Sequence, residues 1–302
     1  MNVMRIIKIT TSSIIGALFI VSAITKLFPI QLFEAALVEA HFSNWTLAPY
    51  FARIIISFEF LLGALLIGNI YFSKRILKLS VVTLIAFSVH LCIVIASEGN
   101  TGNCMCFGNV FVVSPLASLI KNIILIGLLL LLHIYHDGIS TPNSYKILLF
   151  LSVFSIIIPL TQPFHKKLHT IDSEVIGKHL DLRSISDTVH YTNLAHGKHI
   201  VAFMSFTCPH CKIAAFKLHV MKKKNPNLPL FIFFYGKESQ IADFQSETKI
   251  HTIPFTLLSQ IDFIYRSGLK LPAIYYVEND IVVRKVTYLT LHQDEVEAWL
   301  QE

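Results

Sequence analysis

The stretch "FMSFTCPHCKIAAFK", residues 203–217, decides the fold of the C-terminal half of the chain. A short buried strand is predicted over Ile200–Phe206, and it runs directly into the tetrapeptide CPHC at residues 208–211. An amphipathic helix is predicted from Lys212 to about Lys224. Two cysteines therefore lie where a strand gives way to a helix.

The elements that follow extend this unit. A second apolar strand is predicted over Leu228–Tyr235. Leu271-Pro272 then introduces "AIYYVENDIVVRKV", which predicts a strand, a tight turn and another strand, before the closing helix "LHQDEVEAWLQE". The predicted order is strand, helix, strand, helix, proline, β-hairpin and helix.

This order, with a CxxC at the first strand-to-helix junction, resembles the thioredoxin fold over roughly residues 170–302. The N–H groups and macrodipole at a helix N-terminus favour a thiolate on Cys208, and His210 adds positive potential when protonated. We therefore expect Cys208 to attack and Cys211 to resolve. The resemblance also implies a cis-proline beside the cysteines. Pro272 is preferred to Pro254 for that role because the strand-turn-strand follows it.

The CPHC tetrapeptide is similar to that of DsbA-like oxidants. This resemblance implies that the site favours oxidation of substrate thiols over reduction of disulfides. Thr207 stands where thioredoxins often have tryptophan, and this departure bears on substrate preference. A zinc half-site or a structural disulfide would also explain two cysteines at this spacing.

Composition places the N-terminal half in a membrane. The chain of 302 residues is 54% hydrophobic and 15% charged, with a mean hydropathy of +0.61. About 20 apolar residues in a helix cross a hydrocarbon core of about 30 Å. Five such segments are predicted: Ile9–Leu27, Tyr50–Phe72, Leu77–Ser97, Pro115–Tyr135 and Tyr145–Thr161. The net charge of +6 comes without a basic stripe, so no nucleic-acid partner is expected.

The predicted domains are a four-helix transmembrane domain at 1–140, a fifth helix with a linker at 141–168, and a thioredoxin-like domain at 169–302. The first apolar segment also fits a cleaved signal peptide, with the same topology for the rest. Short basic loops stay in the cytoplasm. Those loops contain Arg5, Lys8, Lys74, Arg75, Lys78 and Lys146. We therefore expect the loop after the third helix and the thioredoxin-like domain to share the outer, periplasmic side of a bacterial plasma membrane.

That outer loop contains Cys104 and Cys106 in "GNCMCFG", residues 102–108. Together with "IIGALFIVSAITKLF" and "FEFLLGALLIG" in the first two helices, the CxCFG resembles DoxX- and MauE-type redox-associated membrane proteins over roughly residues 5–135. The resemblance implies a disulfide-exchange pathway shared with the thioredoxin-like domain. A disulfide between residues i and i+2 closes a small strained ring, and strain makes the bond easier to reduce. Such a pair is therefore better suited to disulfide exchange than to stabilising the fold.

Cys92 is the fifth cysteine. We expect it to lie inside the third helix as a buried side chain packing like a small hydrophobe. The alternative is transient pairing with Cys104 or Cys106, which the sequence leaves open.

Charged side chains within a bilayer are costly and indicate function or pairing. Glu59, His90 and Lys121 fall in the outer half of predicted helices, with Lys26 and Arg53 near the outer boundary. In the structural interpretation Glu59 pairs with Lys26 or Lys121. In the functional one Glu59 and His90 form a proton relay or a site for a quinone head group.

The sequence therefore predicts a membrane-bound thiol–disulfide oxidoreductase that passes electrons between CPHC and the CxC pair. Its expected partners are membrane lipid, external thiol or disulfide proteins and a quinone, with no covalent cofactor. The direction of electron flow stays open. One alternative is a protein that handles soft metals and binds Cu(I) through Cys104, Met105 and Cys106. The other is a maturation factor for one partner protein, because the MauE resemblance implies a role in the assembly of methylamine dehydrogenase.

Overall fold

The structure, a computed structural model, describes residues 3–70, 74–100, 113–135, 138, 144–162, 175–181, 194–268 and 270–302. It divides into two compact units. The membrane unit is Met1–Glu34 with Leu47–Pro163, and the C-terminal unit is Ala35–Thr46 with Phe164–Glu302. Cys104 and Cys106 lie outside the described residues.

Each of the five segments predicted to span the membrane contains a helix. Those helices are α1 (Val3–Leu27), α3 (Ala48–Ile67), α4 (Arg75–Glu98), α5 (Pro115–Tyr135) and α6 (Ser144–Leu160), and an unpredicted helix, α2 (Ile30–Glu39), follows the first. Helices α1, α3, α4 and α5 are long and apolar enough to cross a membrane. Helix α6 has 17 residues, which corresponds to about 25 Å of helix.

Helices α1 and α3 pack through two glycines. A Cβ added at Gly16 would lie 2.6 Å from the carbonyl oxygen of Gly63, and one added at Gly63 would lie 2.8 Å from the carbonyl oxygen of Gly16. Ser12 Oγ also donates a 2.9 Å hydrogen bond to the carbonyl of Leu66. Small residues at this crossing let the two backbones touch, as in other packed membrane helices.

The C-terminal unit contains a five-stranded mixed sheet, which confirms the predicted thioredoxin-like fold. Its strands are β1 (Lys198–Ser205), β2 (Leu230–Tyr235), β3 (Phe255–Leu257), β4 (Ala273–Glu278) and β5 (Ile281–Val286), in the order β3-β2-β1-β4-β5. Strands β1, β2 and β3 are parallel, and β4 is antiparallel to both β1 and β5. Among the described residues from Lys198 onward, the α-helices are α7 (Pro209–Lys224), α8 (Ile241–Thr248), α9 (Gln260–Ser267) and α10 (Gln293–Gln301).

Strand β1 is the central strand, and its side chains are buried on both faces of the sheet, as its continuous apolar sequence requires. On one face Phe203 stacks on Phe233 with ring centroids 5.1 Å apart and contacts Tyr275 at 5.7 Å. This packing fixes the end of β1, from which the CPHC segment continues.

The segment Ala35–Thr46, which follows the first membrane helix in the sequence, belongs to the C-terminal unit. Glu39 accepts hydrogen bonds from Lys249 Nζ at 3.1 Å, and from His219 Nε2 and Lys223 Nζ at 3.3 Å each. Burial alone would raise the pKa of Glu39, but the hydrogen bond from His219 and the lysine charges outweigh it and lower the pKa from 4.5 to about 2. Glu39 is therefore ionised at neutral pH and anchors this segment by charge.

Candidate active site

Cys208 is the N-cap residue of α7, with an extended backbone at φ −83° and ψ 116°. Its side chain accepts a hydrogen bond from the backbone N–H of Cys211, with a nitrogen-to-sulfur distance of 3.3 Å. Pro209 occupies the first turn, where a missing N–H costs nothing. The sulfur of Cys208 thus takes the place of a capping oxygen at the positive end of a helix dipole.

Cys211 lies one turn into α7 and is fully buried, whereas Cys208 is half-buried. Both cysteines are free thiols in the structure. Burial, followed by the hydrogen bond shared with Cys208, raises the pKa of Cys211 well above its ordinary value. The exposed and the protected thiol therefore have different chemistry: Cys208 can attack an external sulfur, and Cys211 can reach only a partner already bound to Cys208.

His210 is exposed at the start of α7, and its imidazole stacks on the ring of Tyr288 with centroids 4.9 Å apart and an angle of 22° between the planes. Tyr288 follows β5 and was not singled out by the sequence, because it occurs in the polar turn "VTYLT" without any motif. Burial and the neighbouring Cys208 charge raise the pKa of Tyr288. Its phenol is therefore protonated at neutral pH.

Pro272 lies beside the carboxyl end of β1. The sheet register pairs Phe203 with Ala273, the residue after Pro272, so the proline flanks the segment that leads into CPHC. The Leu271–Pro272 peptide bond is cis. Pro254, the other candidate, precedes the edge strand β3 and is trans.

In the membrane unit Glu59 pairs with Lys26, which was one of the two partners that the sequence offered. Lys26 Nζ donates to the two Glu59 oxygens at 2.7 and 2.9 Å, and the two side chains are only 4% and 1% exposed. Ser22 Oγ accepts a further 2.6 Å hydrogen bond from Lys26. The charges of Lys26 and Glu59 thus neutralise each other between α1 and α3. Arg53 of α3 forms a second ion pair, with Glu34 of α2 at 2.8 Å.

His90 is half-buried on α4, on the helix that also supplies Phe87 to the Lys26 ammonium, 5.0 Å from the ring centre. The expectation that Cys92 is a buried thiol is wrong, since its side chain is exposed. Leu84 and Leu91, seven residues apart, supply the buried side of α4. Cys92, one residue beyond Leu91, is rotated by about 100° away from that face.

Within the part of the chain that the structure describes, no group of three or more His, Cys, Asp or Glu side chains is arranged to hold a metal ion. The CxC pair of the predicted Cu(I) site is outside that part. What the described site offers is a half-exposed sulfur at a helix N-terminus, a protected second sulfur and a cis-proline, an arrangement suited to thiol–disulfide exchange.

Residues 4–135 match the family of methylamine utilisation protein MauE. Over almost its whole length the chain is similar to protein TlpB of Flavobacterium psychrophilum, with 29% identity over 325 aligned positions that cover 89% of this chain and 88% of TlpB.

Two solved structures are similar to the C-terminal part. One is a secreted Mycobacterium tuberculosis disulfide oxidoreductase homologous to E. coli DsbE, 16% identical, covering 37% of this chain and 85% of that one with a TM-score of 0.31. The other is the thioredoxin domain of a thiol-disulfide oxidoreductase from Bacteroides vulgatus, 17% identical, covering 36% and 83% with a TM-score of 0.30. The chain is thus similar to MauE over the part that contains the helices long enough to cross a membrane, and it is a multi-pass membrane protein with a C-terminal thioredoxin-like domain.

Proposed function

We propose that this protein is a membrane-bound thiol–disulfide oxidoreductase whose external site is CPHC. The observation that carries the proposal is the geometry of that site: Cys208 caps α7 with its sulfur while Cys211 is buried one turn later. A structural disulfide needs no such difference between its two sulfurs. Exchange needs it, because one sulfur must meet a partner and the other must release it.

In the proposed reaction a substrate thiolate attacks the Cys208–Cys211 disulfide at Cys208, and Cys211 leaves as a thiolate that is then protonated. The second substrate thiol attacks the mixed disulfide and releases Cys208. The substrate loses two electrons and two protons, and the CPHC disulfide becomes a dithiol. The substrates are extracytoplasmic proteins with cysteine pairs.

The CPHC dithiol is then reoxidised by a disulfide between Cys104 and Cys106, which becomes a dithiol in its turn. A membrane quinone, when bound, would accept the two electrons and two protons from that dithiol. We propose that Glu59 and His90 relay the protons in this step. The support is that Glu59 is a buried carboxylate of α3 whose charge is balanced by Lys26.

We infer that the CPHC and CxC pairs lie on the extracytoplasmic side of a bacterial plasma membrane. The basic connections support this orientation. A second observation supports it: the segment Ala35–Thr46, between the first two spans, forms one compact unit with the residues from Phe164 onward. Segments of one compact unit lie on one side of a membrane, so an even number of spans separates them. Helices α3, α4 and α5 make three, and α6 makes the number even, which supports α6 as the fifth span of the chain.

Replacing Cys211 with serine should trap the attacking sulfur. Without a resolving thiol, Cys208 is expected to accumulate in mixed disulfides with substrates and with Cys104 or Cys106 of the same chain. Membranes from cells that express the variant are quenched with acid, alkylated, digested and analysed by mass spectrometry for peptides linked to Cys208.

Cys92→Ser is the matched control, because it removes a thiol exposed on α4 without touching either pair. Mixed disulfides with soluble partners alone would contradict the relay to the membrane loop, and capture of one protein only would favour the maturation-factor alternative. Copurified copper with all five thiols reduced would favour the metal handler.

A further inference from the structure

Trp45 lies in the segment Ala35–Thr46 and is buried within the C-terminal unit, with 5% of its surface exposed. Its indole Nε1 donates a 2.7 Å hydrogen bond to Oε1 of Gln293, the first residue of α10. Its ring faces the ammonium of Lys217, which lies 5.6 Å from the ring centre. The indole is therefore fixed at both its polar and its aromatic side.

Lys217 is a buried lysine of α7, with 2% of its surface exposed. Lysine is almost never fully buried unless its charge has partners. Here Nζ donates a 3.1 Å hydrogen bond to the backbone carbonyl of Tyr288, in addition to its contact with the Trp45 ring. The buried side chain of Lys217 thus links Trp45 of the segment Ala35–Thr46 to Tyr288. The ring of Tyr288 is the one that stacks on His210.

The turn that contains Tyr288 is fixed on either side of it. The N–H of Thr287 donates to Thr290 Oγ1 at 2.9 Å, and the N–H of Thr290 donates to Thr287 Oγ1 at 3.3 Å. The N–H of Leu291 closes the turn on the carbonyl of Thr287 at 2.9 Å. Lys217 also binds the carbonyl of Tyr288, so the backbone of Tyr288 is held in place while its ring stacks on the His210 imidazole.

We propose that Tyr288 is a positioning residue of the CPHC site and that the segment Ala35–Thr46 holds it in place through Trp45 and Lys217. This inference rests on the proposed exchange function. It makes the loop between the first two membrane spans a structural part of the external redox site.

The physical reason is the positive charge that the imidazole of His210 carries when it is protonated. An aromatic ring stacked on a cation stabilises the cation and fixes its position. A protonated His210 held beside the helix N-terminus stabilises the Cys208 thiolate and hence the reduced form of the pair. Loss of the Tyr288 ring should therefore make the CPHC disulfide a weaker oxidant.

The test is the redox equilibrium of the full chain in detergent with glutathione. In that equilibrium the CPHC disulfide and two reduced glutathione molecules give the dithiol and one glutathione disulfide. The dithiol and disulfide forms of the peptide with Cys208 and Cys211 are quantified by alkylation and mass spectrometry. Tyr288→Leu is expected to lower the dithiol-to-disulfide ratio by about two- to fivefold. Tyr288→Phe keeps the ring and should retain the ratio of the unmodified chain.

Lys217→Met and Trp45→Leu should change the ratio in the same direction as Tyr288→Leu, and thermal unfolding shows whether each variant is folded. Tyr265→Leu, at a tyrosine 75% exposed on α9, is the matched control. An unchanged ratio in Tyr288→Leu, or an equal change in Tyr288→Phe, would overturn the positioning role. An unchanged ratio in folded Trp45→Leu would overturn the part assigned to the segment Ala35–Thr46. A CPHC pair that never forms a disulfide would instead overturn the proposed function itself.

Discussion

Replacing Cys208 with serine is expected to slow disulfide exchange at the CPHC site by at least about a thousandfold, because a hydroxyl is not an effective nucleophile at neutral pH without a base. Cys211 cannot substitute for it, since its sulfur is fully buried and burial raises its pKa. The exchange rate is measured with a mixed disulfide of glutathione and a fluorescent peptide. The free energy of unfolding should change little, because the Cys208 side chain is half-buried.

Cys211→Ser provides the contrast, because it should still carry out the first attack and then stop at the mixed disulfide. If Cys208→Ser exchanges disulfides at a substantial rate and Cys211→Ser is inactive, the attacking cysteine is Cys211. That result would contradict the interpretation that Cys208, the N-cap residue of α7, is the nucleophile.

Glu59→Gln is expected to lower the free energy of unfolding by about 3 to 5 kcal/mol, because Lys26 would be left charged and buried without its carboxylate. Both side chains are almost inaccessible, with Ser22 as the additional hydrogen-bond partner of Lys26. Thermal unfolding of the purified chain in detergent measures the loss. The double variant Lys26→Met with Glu59→Gln removes both charges and should recover most of the stability.

The same double variant separates packing from proton transfer. If Glu59 handles protons for the proposed quinone step, quinone-dependent substrate oxidation should stay low in the double variant although its stability returns. Recovery of turnover together with stability would contradict the proton role and leave the pair as a device for packing α1 against α3.

The sequence predicted the parts of the fold that have local signals. CPHC lies between an apolar strand and an amphipathic helix, and the Glu-Asn-Asp turn between two apolar strands predicted the hairpin that follows Pro272. Composition and length predicted the membrane helices, although α2 was too short and too close to α1 to be separated from a loop.

Contacts between distant residues could not be predicted in this way. The hydrogen bond from Trp45 to Gln293 joins residues 248 positions apart, and the bond from Lys217 to Tyr288 joins residues 71 positions apart. No periodicity encodes such pairs, so the contacts of the segment Ala35–Thr46 were not predicted. Cys92 was misjudged for a different reason, because an apolar helix in a membrane hides which of its faces is buried.

Labelling from outside the cell with a membrane-impermeant maleimide, followed by mass analysis of each cysteine, tests the common location of the two thiol pairs most directly. After reduction of intact cells, we expect Cys106 and Cys208 both to be labelled without permeabilisation. Labelling of one from outside, with the other reached only after the membrane is opened, would contradict the account, because sulfur atoms on opposite sides cannot exchange a disulfide.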